Sequence, residues 1–144
     1  MAASTKYLKK IKDLAAKNLQ EGIVFLQENQ KRSGVIATSS GLQYEIINMG
    51  AGVVPSKKSK VLCHYNGQLL DGTVFDSSYK RRKPETFEVK DLIVGWQEAL
   101  LLMPVGSRWK IYIPHDIAYG FHSLTATSGG NCTLIFEVEL LGIL

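Results

Sequence analysis

Three histidines, His64, His115 and His122, are the first place to look for a base or a metal ligand in this 144-residue chain. Their spacing fits no ligand motif, and none falls in a Cys-x-x-Cys or His-Glu-x-x-His pattern. They read as structural or surface residues, and neither a metal nor a cofactor is expected. Cys63 and Cys132 lie far apart and match neither a zinc nor a redox spacing, which suits free thiols in a reducing compartment. Gly50-Ala51-Gly52 followed by Lys57 has the outline of a phosphate loop, but the second glycine before the lysine is missing and Pro55 interrupts it. Ser77-Ser78 lacks the flanking glycines of a nucleophile elbow. Nucleophilic, metal and phosphate chemistry find no constellation to use.

What remains is aromatic. Tyr65, Phe75, Phe87, Trp96, Trp109, Tyr112, Tyr119 and Phe136 all fall on or beside stretches with a strand or short-helix pattern. Trp109 and Tyr112 suit an ordinary core. One small domain rarely needs so many further rings, and a concave aromatic pocket is the alternative use for them.

The elements that would position these rings can be read from periodicity. Leu8, Ile11, Ala15, Leu19, Ile23 and Leu26 follow three- and four-residue steps, so residues 4 to about 32 predict one long helix. Ser4 or Thr5 would cap its start and Gly34 its end, and Gly22 inside it invites a kink or a close contact. From Gly41 the period changes to two. Leu42-Ile46, Val61-Tyr65, Thr73-Phe75, Thr86-Val89, Arg108-Ile113 and Thr133-Leu141 read as strands, with Asp71-Gly72 as a hairpin turn. Lys80-Arg81-Arg82-Lys83-Pro84 reads as an exposed basic loop. Leu92-Met103 is the only other helical pattern, stopped by Pro104 and Gly106. This order predicts an α+β fold with an antiparallel sheet.

Composition agrees with a folded domain: 45% of residues are hydrophobic and 21% charged, with a net charge of +4. The charge is uneven, +6 over residues 1–60 and −2 over residues 61–144. A basic front can serve as a footprint for nucleic acid, but aromatics beyond Tyr7 do not interleave with Lys6, Lys9, Lys10, Lys12 and Lys17. A solvated helix face accounts for them, and no nucleic-acid partner is expected. No apolar run approaches 18 residues, and the first 30 residues lack a continuous apolar core. No membrane association is expected. The location this suggests is cytoplasmic, with a periplasmic one the alternative for a trimmed chain.

Several blocks together carry a resemblance. Cys63-His64-Tyr65-Asn66-Gly67, Asp71-Gly72-Thr73-Val74-Phe75-Asp76-Ser77-Ser78, Val94-Gly95-Trp96-Gln97-Glu98-Ala99-Leu100, Ala118-Tyr119-Gly120 and Thr133-Leu134-Ile135-Phe136-Glu137-Val138-Glu139-Leu140 resemble an FKBP-type peptidyl-prolyl cis-trans isomerase. They stand in family order at family spacing across roughly residues 41–144. Phe25-Leu26-Gln27-Glu28-Asn29, then Ser40-Gly41-Leu42-Gln43-Tyr44, is similar to the bacterial Mip-like branch, where a long helix carries the isomerase domain. The resemblance implies a helical segment at 1–34 and a domain at 35–144, with a sheet of about five strands wrapped around the short helix.

It also implies a pocket lined by Tyr65, Phe75, Asp76, Phe87, Leu92, Ile93, Trp96, Tyr119 and Phe136. Trp96 would be the floor beneath a proline ring. The Ile93 N–H and the Tyr119 hydroxyl would donate to substrate carbonyls, and Asp76 would be a fixed hydrogen-bond partner. The implied activity is rotation about Xaa–Pro bonds in unfolded or flexible proteins, assisting folding, with macrolides of the rapamycin and tacrolimus type as candidate ligands. Oligomeric state stays open. The chain departs from the family at Arg82, where many members have glycine, and at Ser128-Gly129-Gly130, where they usually read Ile-Pro-Pro; Leu124 and Thr127 differ as well. A loop that normally closes one side of the pocket would be loosened by two glycines. That leaves a second reading, a protein-binding or chaperone module with weak or no isomerase activity because of loop 124–130.

Overall fold

The computed structural model describes residues 2–144, with side chains from Thr5 onward. Helix α1 runs from Ala2 to Asn29, 28 residues or about 42 Å at 1.5 Å per residue. It starts earlier than the sequence predicts, so Ser4 and Thr5 lie inside it rather than at its cap. Its end is a turn through residues 30–34 that closes on Gly34 at φ +89°. Leaving this turn, the chain enters a sheet of β1 (Val35–Ala37), β2 (Gln43–Asn48), β3 (Lys60–Gln68), β4 (Val74–Ser77), β5 (Glu85–Glu88), β6 (Arg108–Ile113) and β7 (Leu134–Ile143). The strand order is β1-β2-β6-β7-β3-β4, antiparallel throughout, with β5 also paired to β3.

Seven strands stand where about five were expected. Two small features account for the difference. Val35–Ala37 adds a three-residue edge beside β2. The edge beside β3 is split in two by a single helical turn, α2 (Ser78–Arg81), which Ser77 caps by accepting the Lys80 N–H at 3.3 Å. The basic loop of the sequence reading is thus partly helical.

The core lies where the sheet curls over α3 (Val94–Leu100), shorter than the Leu92–Met103 pattern suggested. Along β3 burial alternates strictly, placing Val61, Cys63 and Tyr65 inward. They meet Ala99, Leu100 and Met103, and Ile111, Ile113, Val138 and Leu140 from β6 and β7. Trp109 and Tyr112 are buried, as expected of core rings. Cys63 is buried and Cys132 half-buried, and both are free. Burial pushes the Cys63 thiol up to about 12, so it is inert at neutral pH.

Helix α1 is docked on this domain rather than projecting from it. Its buried face is Ala15, Gly22 and Asn29, flanked by Ile11, Leu14, Asn18, Leu19, Phe25 and Leu26, whereas Leu8 and Ile23 of the predicted stripe are exposed. The face is turned slightly because contact favours small residues. A Cβ on Gly22 would run into Thr133 Oγ1, so glycine at this point lets the helix touch the chain entering β7. The C-terminal end is fastened by a polar clasp. Asn29 Nδ2 donates to Gln43 Oε1 at 2.8 Å, Gln43 Nε2 to the Leu26 carbonyl at 2.9 Å, and Arg32 to Asn29 Oδ1 at 2.9 Å. Arg32 reaches on to Glu45 at 3.1 Å and the Tyr112 hydroxyl at 2.8 Å. The Tyr112 hydroxyl in turn donates to Glu45 Oε1 at 2.8 Å, and this bond first, then that from Arg32, holds the Glu45 carboxyl below its usual pKa.

Candidate functional site

The curl of the sheet leaves a cleft of about 190 Å³ between β3, β4, β5, the start of α3 and the loop after β6. Tyr65, Phe75, Asp76, Phe87, Leu92, Ile93, Trp96, Tyr119 and Phe136 line it, together with Asp91. The nine residues singled out in the sequence therefore share one concavity; Asp91, in the turn Val89–Asp91, was not anticipated. A larger groove of about 420 Å³ lies on the outer sheet face along Asn66, Gln68, Arg108, Lys110 and Glu137. Its lining is polar and partly self-paired, with Arg108 bridging Glu137 at 2.6 Å, so its chemistry is that of a solvated sheet face.

Trp96 is the floor, only 4% exposed. Three rings stand edge-on to it or nearly so: Tyr65 at 5.4 Å between centroids, Phe87 at 5.7 Å and Phe136 at 5.3 Å. Phe75 meets Phe136 in the same way at 5.5 Å. Edge-to-face packing is the favoured arrangement of aromatic quadrupoles, so the cup walls support one another without any ligand. A side chain on Gly67 of β3 would clash with both Phe136 and Phe75, which explains a glycine at the position that faces this pair.

The rim carries the polar groups. The Tyr65 hydroxyl donates to Asp76 Oδ2 at 2.7 Å and accepts from Arg81 Nη2 at 2.8 Å, while Arg81 Nη1 bonds Asp76 Oδ1 at 2.6 Å. The Arg81 guanidinium also lies over the Tyr65 ring, 5.7 Å from its centroid. Burial, and then donation to Asp76, pushes the Tyr65 hydroxyl up to about 12, with Arg81 opposing. Sequence reasoning missed Arg81 because it stands in a run of basic residues. The signal available was its place five residues after Asp76, which the Ser77-capped turn converts into contact. Gln97 steadies the adjacent backbone by donating to the Leu92 carbonyl at 2.7 Å.

Two donors point to no protein acceptor. The Tyr119 hydroxyl and the Ile93 N–H make no hydrogen bond among the described residues, and both belong to the lining of the cleft. Burial, with the charge of Asp76 added, keeps the Tyr119 hydroxyl protonated beyond its usual range. Among the described residues no group of three or more His, Cys, Asp or Glu is placed to hold a metal ion.

Loop 124–130 does not line the cleft, contrary to the expectation that it closes one side. Thr125, Thr127 and Ser128 face Leu14 and Asn18 of α1 across a separate cleft of about 290 Å³. Nor do the glycines leave it loose. Gly129 adopts φ +72° against Leu14, and Ser128 Oγ accepts from the Leu124 and Thr125 N–H groups at 3.0 and 3.1 Å. In this chain the loop packs on the helix instead.

Residues 52–141 match the family described as FKBP-type peptidyl-prolyl cis-trans isomerase, and residues 1–46 match the domain amino-terminal to it. The chain belongs to the FKBP-type peptidyl-prolyl cis-trans isomerase family. It is similar to the FKBP-type 22 kDa isomerase of Escherichia coli strain K12, 52% identical over 86% of this chain and 60% of the relative. It is also 46% identical to the outer membrane protein MIP of Legionella longbeachae, over 90% of this chain and 55% of that protein. Among solved structures, FkpA from Escherichia coli superposes with a TM-score of 0.91 at 34% identity, covering 97% of this chain and 65% of the other. The chain thus spans about half to three fifths of the curated relatives it matches. The cytoplasmic location expected from the sequence is corrected by these relatives, one of which is named as an outer membrane protein. That expectation took residues 1–30 for the front of the protein, which a partial span of its relatives does not justify. No described helix is long and apolar enough to cross a membrane.

Proposed function

We propose that this chain catalyses rotation about Xaa–Pro bonds in unfolded or flexible proteins, with α1 and its turn (residues 1–34) as an appendage to an isomerase domain at 35–144. The observation that supports this best is an aromatic cup on Trp96 with two unengaged donors, Tyr119 and Ile93, and no nucleophile. Amide rotation needs no bond to break. Its barrier of about 18–20 kcal/mol is the loss of resonance, and exchange at Xaa–Pro takes tens to hundreds of seconds unaided. Water favours the planar, more polar amide over the twisted one. A cup walled by Tyr65, Phe75, Phe87 and Phe136 removes that water and fits the ring of the proline, lowering the climb to the twisted form.

The polar groups have matching roles. Tyr119 and the Ile93 N–H donate to carbonyls on either side of the rotating bond and hold the peptide while it turns. Asp76 and Arg81 keep the Tyr65 ring in place as a wall. Asp76 passes no proton, since none moves overall. Macrolides of the rapamycin and tacrolimus type are candidate occupants of the same cup. A protease-coupled assay on a short Xaa–Pro peptide tests the proposal. Catalytic amounts of the protein should speed cis-to-trans conversion, and a rate equal to the uncatalysed one contradicts it.

A further inference from the structure

The helix and the loop behind the cup are joined chiefly at Asn18, with a longer bond from Asn131 Nδ2 to the Ala15 carbonyl at 3.4 Å beside it. Asn18, on the docked face of α1, donates from Nδ2 to the Ser128 carbonyl at 2.7 Å and to the Gly130 carbonyl at 2.9 Å. Both hydrogens of its amide are thereby used. Leu14, one turn earlier, lies so close to Gly129 that a Cβ there would be 2.5 Å from Leu14 Cγ. The positive φ of Gly129 and of Asn131, at +72° and +58°, shapes the segment to this face.

From the anchored segment the pocket is two short steps away. The Asn131 N–H donates to the Gly120 carbonyl at 2.7 Å, and Gly130 lies against the Phe121 carbonyl with no room for a Cβ. Gly120 and Phe121 directly follow Tyr119 in the wall of the cup. The other hydrogen bonds of residues 114–122 close within that turn: Ile117 to Pro114, Ala118 and Gly120 to His115, and His122 to Tyr119. Among the described residues, the Asn131 bond is the one hydrogen bond that ties this turn to the rest of the molecule.

We infer that Asn18 is a positioning residue for the isomerase site: through loop 128–131, helix α1 holds the Tyr119 turn in its binding-competent place. The inference rests on the proposed activity for its kinetic consequence, but not for its structural one. A released loop rich in Ser, Thr and Gly would sample other shapes, and substrate would bind only the fraction with Tyr119 in place. Apparent affinity falls by that fraction, while turnover of the bound complex does not change.

Asn18→Asp keeps the shape, removes both donors and sets a carboxylate against two carbonyls. It is expected to raise KM about fivefold with kcat within about twofold, and to speed hydrogen exchange at the Asn131 and His122 amides. Arg32→Ala, which opens the other clasp of α1, should leave KM and those amides as they are. If Asn18→Asp does not fold, Asn18→Ser, which keeps one donor, is read in the same way with a smaller rise. A folded variant with unchanged KM and unchanged exchange overturns the inference, as does one in which kcat falls alone. If the parent shows no isomerase activity, the functional reading fails, and the exchange at Asn131 and His122 still decides the coupling.

Discussion

Trp96 is held on three sides by rings at right angles or nearly so, which makes its indole the surface that shapes the cup. Trp96→Leu should lower kcat/KM on Xaa–Pro peptides about tenfold or more while the domain stays folded, because a smaller side chain admits water. Unchanged peptide isomerisation in a folded variant would remove Trp96 from the mechanism. Tyr65 supplies a different kind of test. Its hydroxyl is pushed up to about 12, mainly by burial, against about 10 in an unfolded chain. The native state therefore holds this proton more tightly than the unfolded one. The resulting stability is complete below about pH 10 and is lost as pH rises toward about 12. Thermal melts of Tyr65→Phe should show a shallower loss over that window than the parent. Cys63, Tyr79 and Tyr112, also pushed up to about 12, contribute to the alkaline loss that remains. An equally steep loss in the variant would mean that the Tyr65 hydroxyl is not held protonated by burial in the native state.

At the level of elements, the loop before β7 shows what local sequence does and does not foretell. Ile-Pro-Pro placed at Ser128-Gly129-Gly130 is expected to lower the melting temperature. Proline fixes φ near −65°, whereas Gly129 sits at +72°, and a Cβ on Gly130 would strike the Phe121 carbonyl. A triple variant as stable as the parent would show that the loop does not need this backbone. Sequence reading saw this change only as a loss of stiffness beside the pocket, because the partner of the loop, Asn18, lies 110 residues away from Ser128. β3 was the most legible strand because its burial alternates at every residue, whereas β6 and β7 alternate over part of their length and are buried on both faces at one end, and β2 is only partly buried. β1 and α2 were not legible, being three and four residues long and fixed by neighbours rather than by their own pattern. The stripe of α1 was legible in period and, for four of its six residues, in phase. Ile11, Ala15, Leu19 and Leu26 of the predicted stripe do lie on the docked face, while Leu8 and Ile23 are exposed and contact selects Gly22 and Asn29 in addition.

For the whole molecule, two fastenings decide how the parts act together. Asn29, Arg32, Gln43 and Glu45 fix the end of α1 against the sheet, and Asn18 fixes its middle to the loop behind the cup. The nine cup residues could be named from motifs because the family blocks keep their spacing. The two fastenings could not, since they join side chains that no motif links. The central claim is that the cup catalyses rotation rather than merely holding proline. Exchange NMR on a short Xaa–Pro peptide with the protein far below stoichiometry separates the two. Catalysis gives faster cis–trans exchange with an unchanged cis-to-trans ratio, and loss of that acceleration in Trp96→Leu. Binding of the peptide without faster exchange, or a ratio that shifts only in proportion to added protein, would contradict it.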